Sequence, residues 1–527
     1  MASFDRLTGG RLLLLLGALG VGYVDVLSNV SGHSILTPYL VGSLEGVTPS
    51  FGAWGTTFYL IGVALGVPVA RVLSGRYGEY RVLTLGFLGY AIASLICVSS
   101  PSVFIYAPMR CVFGVFGGLL AVVSQSAALG ELPEKYYKIG LGYWAALGIL
   151  PYTLAVFLGG FWAEYFSWRW LFYANATLGL LISATVGALL YGRAYKRKIV
   201  RFDAIGFVLL AVILIGVQMM FSMGNDFDWF GSPLLSVALL VVILAVPAFI
   251  IWEWGERHPI IDVKLFTRSS YAIGVAAGFF GFLTIQGLMS LFSVQMQLLL
   301  GYTSSLAGHV YLAMMVAGLP LAGFMYEISK KLDVRLVISL MAMCAAVVLT
   351  WLGRFDKNAS YDAIMIPVVF LGFCVAALSA PTSTLATYGL SGARYKRAAE
   401  EFLLFRLVGG AIGIAFQSVV YFRRTPWHQL GLADYLGGRR YASLDTLATL
   451  TQQLQSLGMS ESVARRHIAR MIRQQAGILA LDDAFLLGAC IMFLLGVLVW
   501  FARLRKDPAT HVATATLKIG EAVTADH

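Results

Sequence analysis

The chain has 527 residues, of which 59% are hydrophobic and 12% are charged. Soluble globular proteins carry about 45–50% apolar and about 25% charged residues. The composition therefore excludes a soluble enzyme, a disordered protein, a coiled coil and a nucleic-acid-binding domain. A mean hydropathy of +0.79 predicts an integral membrane protein instead.

Hydropathy predicts an all-α protein with fourteen membrane-spanning helices. The apolar runs are long and continuous, as in residues 12–24 and 204–220, whereas a β-barrel would show short alternating segments. Polar and helix-breaking residues at 225–233 divide 204–253 into two spans. The predicted spans are 11–32, 51–72, 82–99, 103–128, 138–162, 169–191, 204–222, 233–253, 270–293, 304–327, 335–353, 362–386, 400–421 and 479–502.

The distribution of Lys and Arg predicts the orientation of these spans. With the N-terminus inside, the predicted inside segments carry 25 of these cations and the short outside loops carry three. This bias follows the positive-inside rule and predicts that both termini are cytoplasmic. It also accounts for the net charge of +11, so we expect no nucleic-acid partner.

The spans group into a small number of segments. Residues 11–191 are predicted to form an N-terminal six-helix half, 204–253 two inserted central spans, and 270–502 a C-terminal six-helix half. The polar residues 503–527 are expected to be a cytoplasmic tail. The short basic lead and long apolar run at the N-terminus predict an uncleaved first helix rather than a signal peptide.

The longest hydrophilic stretch, 422–478, is predicted to be an extracytoplasmic helical loop. Four leucines at 3–4–3 spacing share one helix face, Gly458 ends that helix, and Ser460 with Glu461 begins another. The loop is either a small helical cap or a docking surface for a partner protein. The leucines are Leu447, Leu450, Leu454 and Leu457.

Motifs of catalytic and metal sites are missing from the sequence. The five cysteines lie in apolar runs without CxxC spacing, and the seven histidines are scattered. We therefore expect buried thiols and no metal site. The sequence has no HExxH, GxSxG or P-loop motif, which argues against an enzyme and against ATP as the energy source.

Several short motifs together resemble the major facilitator superfamily. Residues 73–81 (LSGRYGEYR) resemble its loop between spans 2 and 3, and 110–114 (RCVFG) resemble its span-4 motif. Residues 159–175 resemble the fourteen-span drug:proton antiporter family, EmrB/QacA type. The long loop with LGMS at 457–460 is closest to the EmrB-like members. Shorter matches to that branch are DAIG at 203–206, DWF at 228–230, GYT at 301–303 and AG at 307–308.

The resemblance covers about residues 25–502 and implies both a fold and a function. The fold is the major facilitator fold of two six-helix halves, with two inserted central helices. The function is proton-coupled export of hydrophobic or amphipathic compounds across a bacterial inner membrane by alternating access. The proton gradient is the energy source, without a cofactor. EmrB-type members imply a periplasmic adaptor and an outer-membrane channel as partners, contacted through 422–478.

Departures from the family pattern leave other functions open. Residues 155–156 are Ala-Val where the antiporter motif has Gly-Pro, Pro151 is displaced upstream, and the loop after the first span looks long. A facilitator, or a transporter of a specific metabolite or siderophore with different coupling, is the main alternative. A structural or regulatory membrane protein would be insensitive to changes at Asp25.

Charged residues inside spans are costly and are therefore functional candidates. Asp25 lies about seven residues, or roughly 10 Å, from the predicted outer end of span 1. Arg110 lies at a similar depth in span 4. A carboxyl that gains and loses a proton beside a guanidinium could couple proton entry to substrate release. The alternative is a static pair that holds two helices together.

Three further titratable or charged residues are secondary candidates. Arg406 is predicted to lie just inside span 13, with its long side chain reaching back to the cytoplasmic face. His309 lies near the outer end of span 10 and could titrate near neutral pH. Asp483 corresponds to an acidic position of the family, although a solvated helix start also explains it.

Other candidates concern the substrate cavity and the loop between spans 2 and 3. Polar and aromatic side chains near mid-membrane could line a pocket for a planar hydrophobic solute, although packing also explains them. The cavity candidates are Gln125, Tyr143, Trp144, Tyr152 and Gln286. In the loop motif, Gly78 marks the turn, and Arg76 and Arg81 are either gating ion-pair partners or topology-setting charges.

Overall fold

A computed structural model describes residues 7–43, 49–133, 136–148, 150–191, 201–356, 359–437 and 441–504. These residues form helices and connecting turns, and no strand occurs among them. Thirteen of their helices are long and apolar enough to cross a membrane. The predicted all-α membrane fold is therefore confirmed.

The N-terminal half contains seven helices. Helix α1 begins at Gly9, and successive helices then run back and forth across the bundle. Their bounds are α1 Gly9–Ser43, α2 Pro49–Tyr77, α3 Glu79–Ser99, α4 Val103–Glu131, α5 Tyr137–Leu147, α6 Leu150–Tyr165 and α7 Trp170–Leu190. Helices α5 and α6 together occupy the single predicted span 138–162, with Gly148 in a turn between them.

The inserted pair and the C-terminal half follow in the predicted order. Helix α8 packs against α2 of one half and α14 of the other, so it lies along the boundary between the halves. The bounds are α8 Ala204–Met223, α9 Pro233–Gly255, α10 Ser269–Leu298, α11 Ser304–Lys331, α12 Val334–Gly353, α13 Tyr361–Ala386, α14 Gly392–Gly437, α15 Tyr441–Ser456 and α16 Glu461–Leu498.

Helix α1 corrects the prediction that span 1 ends near residue 32 before a long loop. The helix continues to Ser43, with Pro38 inside it. Its polar residues suggested a loop, but they are buried against neighbouring helices. Asp25 consequently lies near the middle of a 35-residue helix rather than about seven residues from its end. The buried polar residues are Asn29, Ser31, His33, Ser34 and Thr37.

The stretch 422–478 is largely an extension of the spanning helices. Helix α14 continues through residue 437, and α16 begins at Glu461 and enters the predicted last span without a break. The helix end near Gly458, which has φ +89°, and the new helix after Ser460 agree with the prediction. The predicted tail beyond residue 504 lies outside the described residues.

Glycines let α2 and α4 pack backbone against backbone. A Cβ on Gly114 would lie 2.1 Å from the Tyr59 carbonyl oxygen, and a Cβ on Gly62 would lie 2.0 Å from the Cys111 carbonyl oxygen. Close approach of this kind is how membrane helices gain dispersion energy without a hydrophobic driving force. The span-4 motif RCVFG therefore serves helix packing through its glycine.

The two halves contact each other differently at the two ends of the bundle. We call the end where α1 begins, which carries Arg71, Arg76, Arg81 and Arg397, the basic face. At the opposite face, hydrogen bonds join α1 and α6 to α10 and α11; we call this set the seal. Its members are Ser34–Ser290 at 2.9 Å, Gln297–Ile35 at 3.0 Å, Tyr39–Ser304 at 3.0 Å, Ser304–Gly160 at 2.9 Å and Ser305–Glu164 at 2.9 Å.

The α2–α4 contact gives a stability prediction. Gly114→Ala should lower the apparent melting temperature of the detergent-purified protein by several degrees, because overpacking a close contact costs about 1–3 kcal/mol. Gly130→Ala on the same helix is the control, since a Cβ there meets no atom within 4 Å. Equal melting temperatures for the two variants would contradict the close packing.

Candidate functional site

A central cavity of about 400 Å³ lies between the two halves. Helices α1, α2, α4, α5 and α6 line it from one half, and α10, α13, α14 and α16 line it from the other. The lining reaches Thr387 and Tyr395 near the basic face, whereas the seal closes the opposite face. A volume of this size is typical of small-molecule sites.

Aromatic rings form much of the cavity wall. The Tyr23 and Trp144 ring centroids are 5.1 Å apart, and the Tyr152 and Phe282 rings meet edge to face at 6.1 Å. These pairs leave flat apolar surfaces next to the Trp144 indole and the Tyr152 hydroxyl. The cavity can therefore hold an apolar group while offering a few polar contacts.

Four of the five cavity candidates line this space, namely Gln125, Trp144, Tyr152 and Gln286. Gln286 is 2% exposed and Gln125 is half-buried. Tyr143 is absent from the described lining, and its hydroxyl lies 3.5 Å from the Leu16 carbonyl oxygen on α1. Their part in substrate binding stays a prediction.

Arg406 projects into the cavity, which corrects its predicted position near the cytoplasmic face. Helix α14 begins at Gly392 rather than near residue 400, so Arg406 lies fourteen residues along the helix. Its guanidinium lies 4.6 Å from the Phe282 ring centroid and donates to the Ser379 hydroxyl at 3.3 Å. Tyr152 lies beside it. Among the described lining residues, Arg406 is the one charged side chain.

A second polar site lies inside the N-terminal half, behind α1. Arg110 is 0% exposed and donates three hydrogen bonds: to the Asn29 side-chain oxygen at 3.3 Å, the Asn29 carbonyl at 3.0 Å and the Gly55 carbonyl at 2.9 Å. The Tyr59 ring lies 4.5 Å from the guanidinium. Neutral acceptors and an aromatic face thus satisfy a fully buried cation.

Asp25 belongs to the same network but makes no ion pair with Arg110. Asn29, one turn further along α1, donates to the Asp25 carbonyl at 3.1 Å and to the Tyr90 hydroxyl at 2.8 Å. The Tyr90 hydroxyl in turn lies beside the Asp25 carboxyl. Because Asn29 also contacts Arg110, it connects the two predicted candidates without a direct contact between them.

His33 extends this network and was not among the predicted residues. It is 0% exposed, and its ring nitrogens lie 2.7 Å from the Thr56 hydroxyl and 2.6 Å from the Tyr106 hydroxyl. The early end assigned to span 1 placed His33 in a loop. The i, i+4, i+8 spacing of Asp25, Asn29 and His33 was the available signal, because it puts three polar residues on one helix face.

The network and the cavity lie on different faces of α1. Tyr23, Leu27 and Ser31 line the cavity from this helix. Asp25 and Asn29 contact α3 and α4 instead. At 3.6 residues per turn, Leu27 and Asn29 point in nearly opposite directions. One helix therefore carries the polar network on one face and the cavity wall on the other.

The remaining secondary candidates lie away from the cavity. Asp483 accepts hydrogen bonds from Arg424 at 2.5 Å and His428 at 2.7 Å, which joins α16 to the extended part of α14. His309 bonds the Ser305 carbonyl at 2.7 Å and packs against the Phe157 ring, near the seal. Both positions suit structural contacts at the opposite face.

The loop motif between α2 and α3 forms a tight turn. Gly78 has φ +88°, a conformation that favours glycine. Arg76 lies over the Tyr77 ring and Arg81 is exposed. The described ion pair between the halves at the basic face uses a neighbouring arginine, with Arg71 and Glu400 at 3.4 Å.

Comparison with known proteins agrees with this architecture. Residues 14–414 match the Major Facilitator Superfamily. The chain belongs to this superfamily. The match spans both halves and includes most of the cavity lining.

Curated relatives of comparable length include resistance and export proteins. The chain is 27% identical to the probable multidrug resistance protein EmrY of Escherichia coli, over 94% of this chain and 96% of that protein. It is 26% identical to the fatty acid resistance protein FarB of Neisseria gonorrhoeae, over 95% and 98%. The multidrug export protein EmrB of Escherichia coli is 27% identical, over 94% and 96%. An EmrB-like, divergent member of the superfamily was the predicted resemblance.

Solved structures share the fold at low identity. A bacterial homologue of the human lysosomal transporter Spinster, in an inward-facing and unoccupied conformation, matches 95% of this chain and all of its own with a TM-score of 0.60. Their identity is 14%. The xylose transporter XylE of Escherichia coli, in a partially occluded inward-open conformation, matches with a TM-score of 0.55 at 13% identity.

The Arg110 network gives a second stability prediction. Asn29→Ala should lower the apparent melting temperature by several degrees, because a buried donor left without its acceptor costs about 1–3 kcal/mol. Both Arg110 and Asn175 bond the Asn29 side-chain oxygen. Ser28→Ala, one residue away, is the control, and a drop of equal size in that variant would refute the assignment.

Proposed function

We propose that this protein is a secondary transporter that exports hydrophobic or amphipathic compounds in exchange for protons. The observation that carries the proposal is a central cavity between two six-helix halves, with a separate, half-buried carboxyl, Asp25 beside Tyr90, behind α1 in one half. The cavity would hold the substrate and Asp25 would hold the proton. Relatives named for multidrug export and fatty acid resistance support the same class of solute.

Alternating access follows from the unequal contacts between the halves. In this conformation the seal holds the opposite face closed with a few hydrogen bonds between polar side chains and backbone groups. Such bonds contribute only about 0.5–1.5 kcal/mol each, so rocking of the halves can exchange them. The Arg71–Glu400 pair is half-buried and bridges the halves at the basic face. This ion pair would have to break for the two halves to separate further at that face.

Proton coupling is assigned to Asp25 with Tyr90 and Asn29. An Asp25 carboxyl that takes a proton becomes a hydrogen-bond donor, whereas the carboxylate accepts from Tyr90. Because Asn29 bonds both Tyr90 and Arg110, a change of charge at Asp25 would alter the contacts that hold α1 to α3 and α4. His33 and Tyr106 continue the polar path toward the opposite face.

Energy, location and partners complete the proposal. The proton gradient is the energy source, with no cofactor and no enzymatic activity. The protein resides in a bacterial inner membrane with both termini cytoplasmic, so the basic face is the cytoplasmic one and export ends at the seal. A periplasmic adaptor and an outer-membrane channel would dock on 422–478, where Leu430 is 69% and Leu457 76% exposed.

The proton assignment predicts the behaviour of an Asp25 variant. In proteoliposomes with an imposed pH gradient, the parent should move a panel of lipophilic dyes against their gradients. Asp25→Asn should stop this uphill movement because the amide cannot exchange a proton. The control Asp362→Asn removes an exposed carboxylate in the first turn of α13 and should leave transport unchanged.

One result would refute proton antiport, and another would refute only the assignment of the proton site to Asp25. Dyes that equilibrate without regard to the pH gradient would favour a facilitator, or a transporter of a specific metabolite or siderophore. An Asp25→Asn protein that pumps as well as the parent would place the coupling site elsewhere.

Alternating access predicts that locking the seal stops transport. The Ser34 and Ser290 hydroxyl oxygens are 2.9 Å apart on opposite halves. In the double variant Ser34→Cys, Ser290→Cys, oxidation should form a disulfide once the two side-chain ends approach by about 1 Å, to an S–S length of about 2.0 Å. Transport should cease on oxidation and return on reduction, while each single variant stays active. An oxidised, crosslinked protein that still transports would exclude rocking at this seal.

A further inference from the structure

Among the described residues that line the central cavity, one side chain is charged, and its charge is positive. The described lining includes the hydroxyls of Tyr152, Ser379 and Thr382 and the amides of Gln125 and Gln286, but no Asp or Glu. Arg406 is therefore the group that sets the electrostatic potential of the cavity. This charge comes from the C-terminal half, across the cavity from α1.

Arg406 has no carboxylate partner among the described residues. Its contacts are the Ser379 hydroxyl, the Phe282 ring and the neighbouring Tyr152. Other arginines of the described chain are compensated: Arg71 by Glu400, Arg424 by Asp483, and the fully buried Arg110 by three hydrogen bonds to oxygen acceptors. The hydroxyls of Ser379, at 3.3 Å, and of the neighbouring Tyr152 engage only part of the guanidinium, so most of its five donors remain available to a ligand.

An unpaired cation at this position destabilises the protein when no ligand occupies the cavity. Charged side chains within a membrane are costly and normally face a partner or a water-filled space. A guanidinium has a planar fork of donors that matches the oxygens of a carboxylate or sulfonate head group. Binding an anion would neutralise Arg406, whereas binding a cation would place two positive charges together in a space of low dielectric constant.

The cavity walls around Arg406 are apolar and aromatic, which suits the apolar body of a molecule whose head group is a carboxylate or sulfonate. Phe282 lies under the guanidinium, and Phe402, Trp144 and Leu60 add apolar surface to the same cavity. The Tyr152 and Ser379 hydroxyls lie beside the guanidinium and make this part of the cavity wall polar. A head group on Arg406 would thus leave an apolar body against the aromatic walls.

We propose that the cavity is selective for amphipathic anions, with Arg406 as the residue that binds the acidic head group. The proposal rests on the function proposed above, which it narrows to one substrate class. It assigns Arg406 a specificity role that its position in the sequence did not suggest. It also places the residue that binds the charged head group, Arg406, on α14, apart from the proton site at Asp25 on α1.

The test compares two probes of the same shape and opposite permanent charge. Naphthalenesulfonate and naphthyltrimethylammonium are titrated by calorimetry into the full-length purified protein in detergent, with no gradient present. The parent should bind the anion at least about tenfold more tightly than the cation, a difference of about 1.4 kcal/mol. Arg406→Gln should abolish that preference, and Arg406→Lys should keep part of it, because the positive charge remains but the planar fork of donors is lost.

A matched control removes an arginine outside the cavity. Arg335 pairs with Asp333 at 2.8 Å near the start of α12, so Arg335→Gln should retain the parent's preference. Gel filtration and melting temperature of Arg406→Gln establish that it is folded. If Arg406→Gln does not fold, Arg406→Met, which also removes the charge, takes its place, and equal binding of the two probes by the parent would still overturn the selectivity.

Failure of anion selectivity and failure of proton-driven export give different results. Equal binding of both probes by the parent, or an anion preference that survives in Arg406→Gln, overturns anion selectivity even if proton-driven transport is found. A preference that depends on Arg406 supports the selectivity even if the Asp25 experiment shows no antiport. Binding is measured at equilibrium, so coupling does not enter the result.

Discussion

The cost of a charge inside a membrane governs the arrangement of this protein. Hydrocarbon offers no hydrogen bonds, so each ionisable side chain within the bundle needs a partner in the protein or in a hydrated space. Arg110 is satisfied internally by Asn29 and Gly55, which ties α1, α2 and α4 together. Arg406 is instead directed into the central cavity with little compensation. The first arrangement stabilises the N-terminal half, and the second leaves a charge for a ligand to neutralise.

Helix α1 is the physical link between the two sites. Its Asp25 and Asn29 face α3 and α4, while Tyr23 and Leu27 face the cavity. Ser34, Ile35 and Tyr39, further along the same helix, form part of the seal. A shift of α1 would therefore change the proton site, the cavity wall and the closed face together. Coupling through a shared helix does not require the proton and the substrate to compete for one residue.

The sequence predicted the all-α membrane fold and the order of its long helices because long apolar runs identify spans directly, although the predicted span 138–162 is two helices in the structure. It failed where polar residues are buried in helices. His33, Ser34 and Thr37 resemble a loop but pack between helices, so the end of α1 and the role of His33 were missed. Glu400 and Glu401 suggested a helix start, and this start placed Arg406 too near the membrane surface. In the structure both glutamates lie within α14, where Glu400 pairs with Arg71 and Glu401 with Arg397. Cavity residues such as Trp144 and Tyr152 were predictable as polar or aromatic groups at mid-membrane. The direction in which Arg406 and Tyr143 project depends on packing that a sequence pattern does not encode.

Proton exchange is the central claim, and its most direct test lets the substrate gradient drive the protons. Proteoliposomes would be loaded with naphthalenesulfonate and a trapped pH dye, with equal pH on both sides and the membrane potential held at zero. If protons exchange for substrate, the lumen should acidify as the sulfonate leaves, and proteoliposomes of Asp25→Asn should show no acidification. Sulfonate efflux without a change in lumenal pH, or equal acidification in the Asp25→Asn protein, would contradict the account.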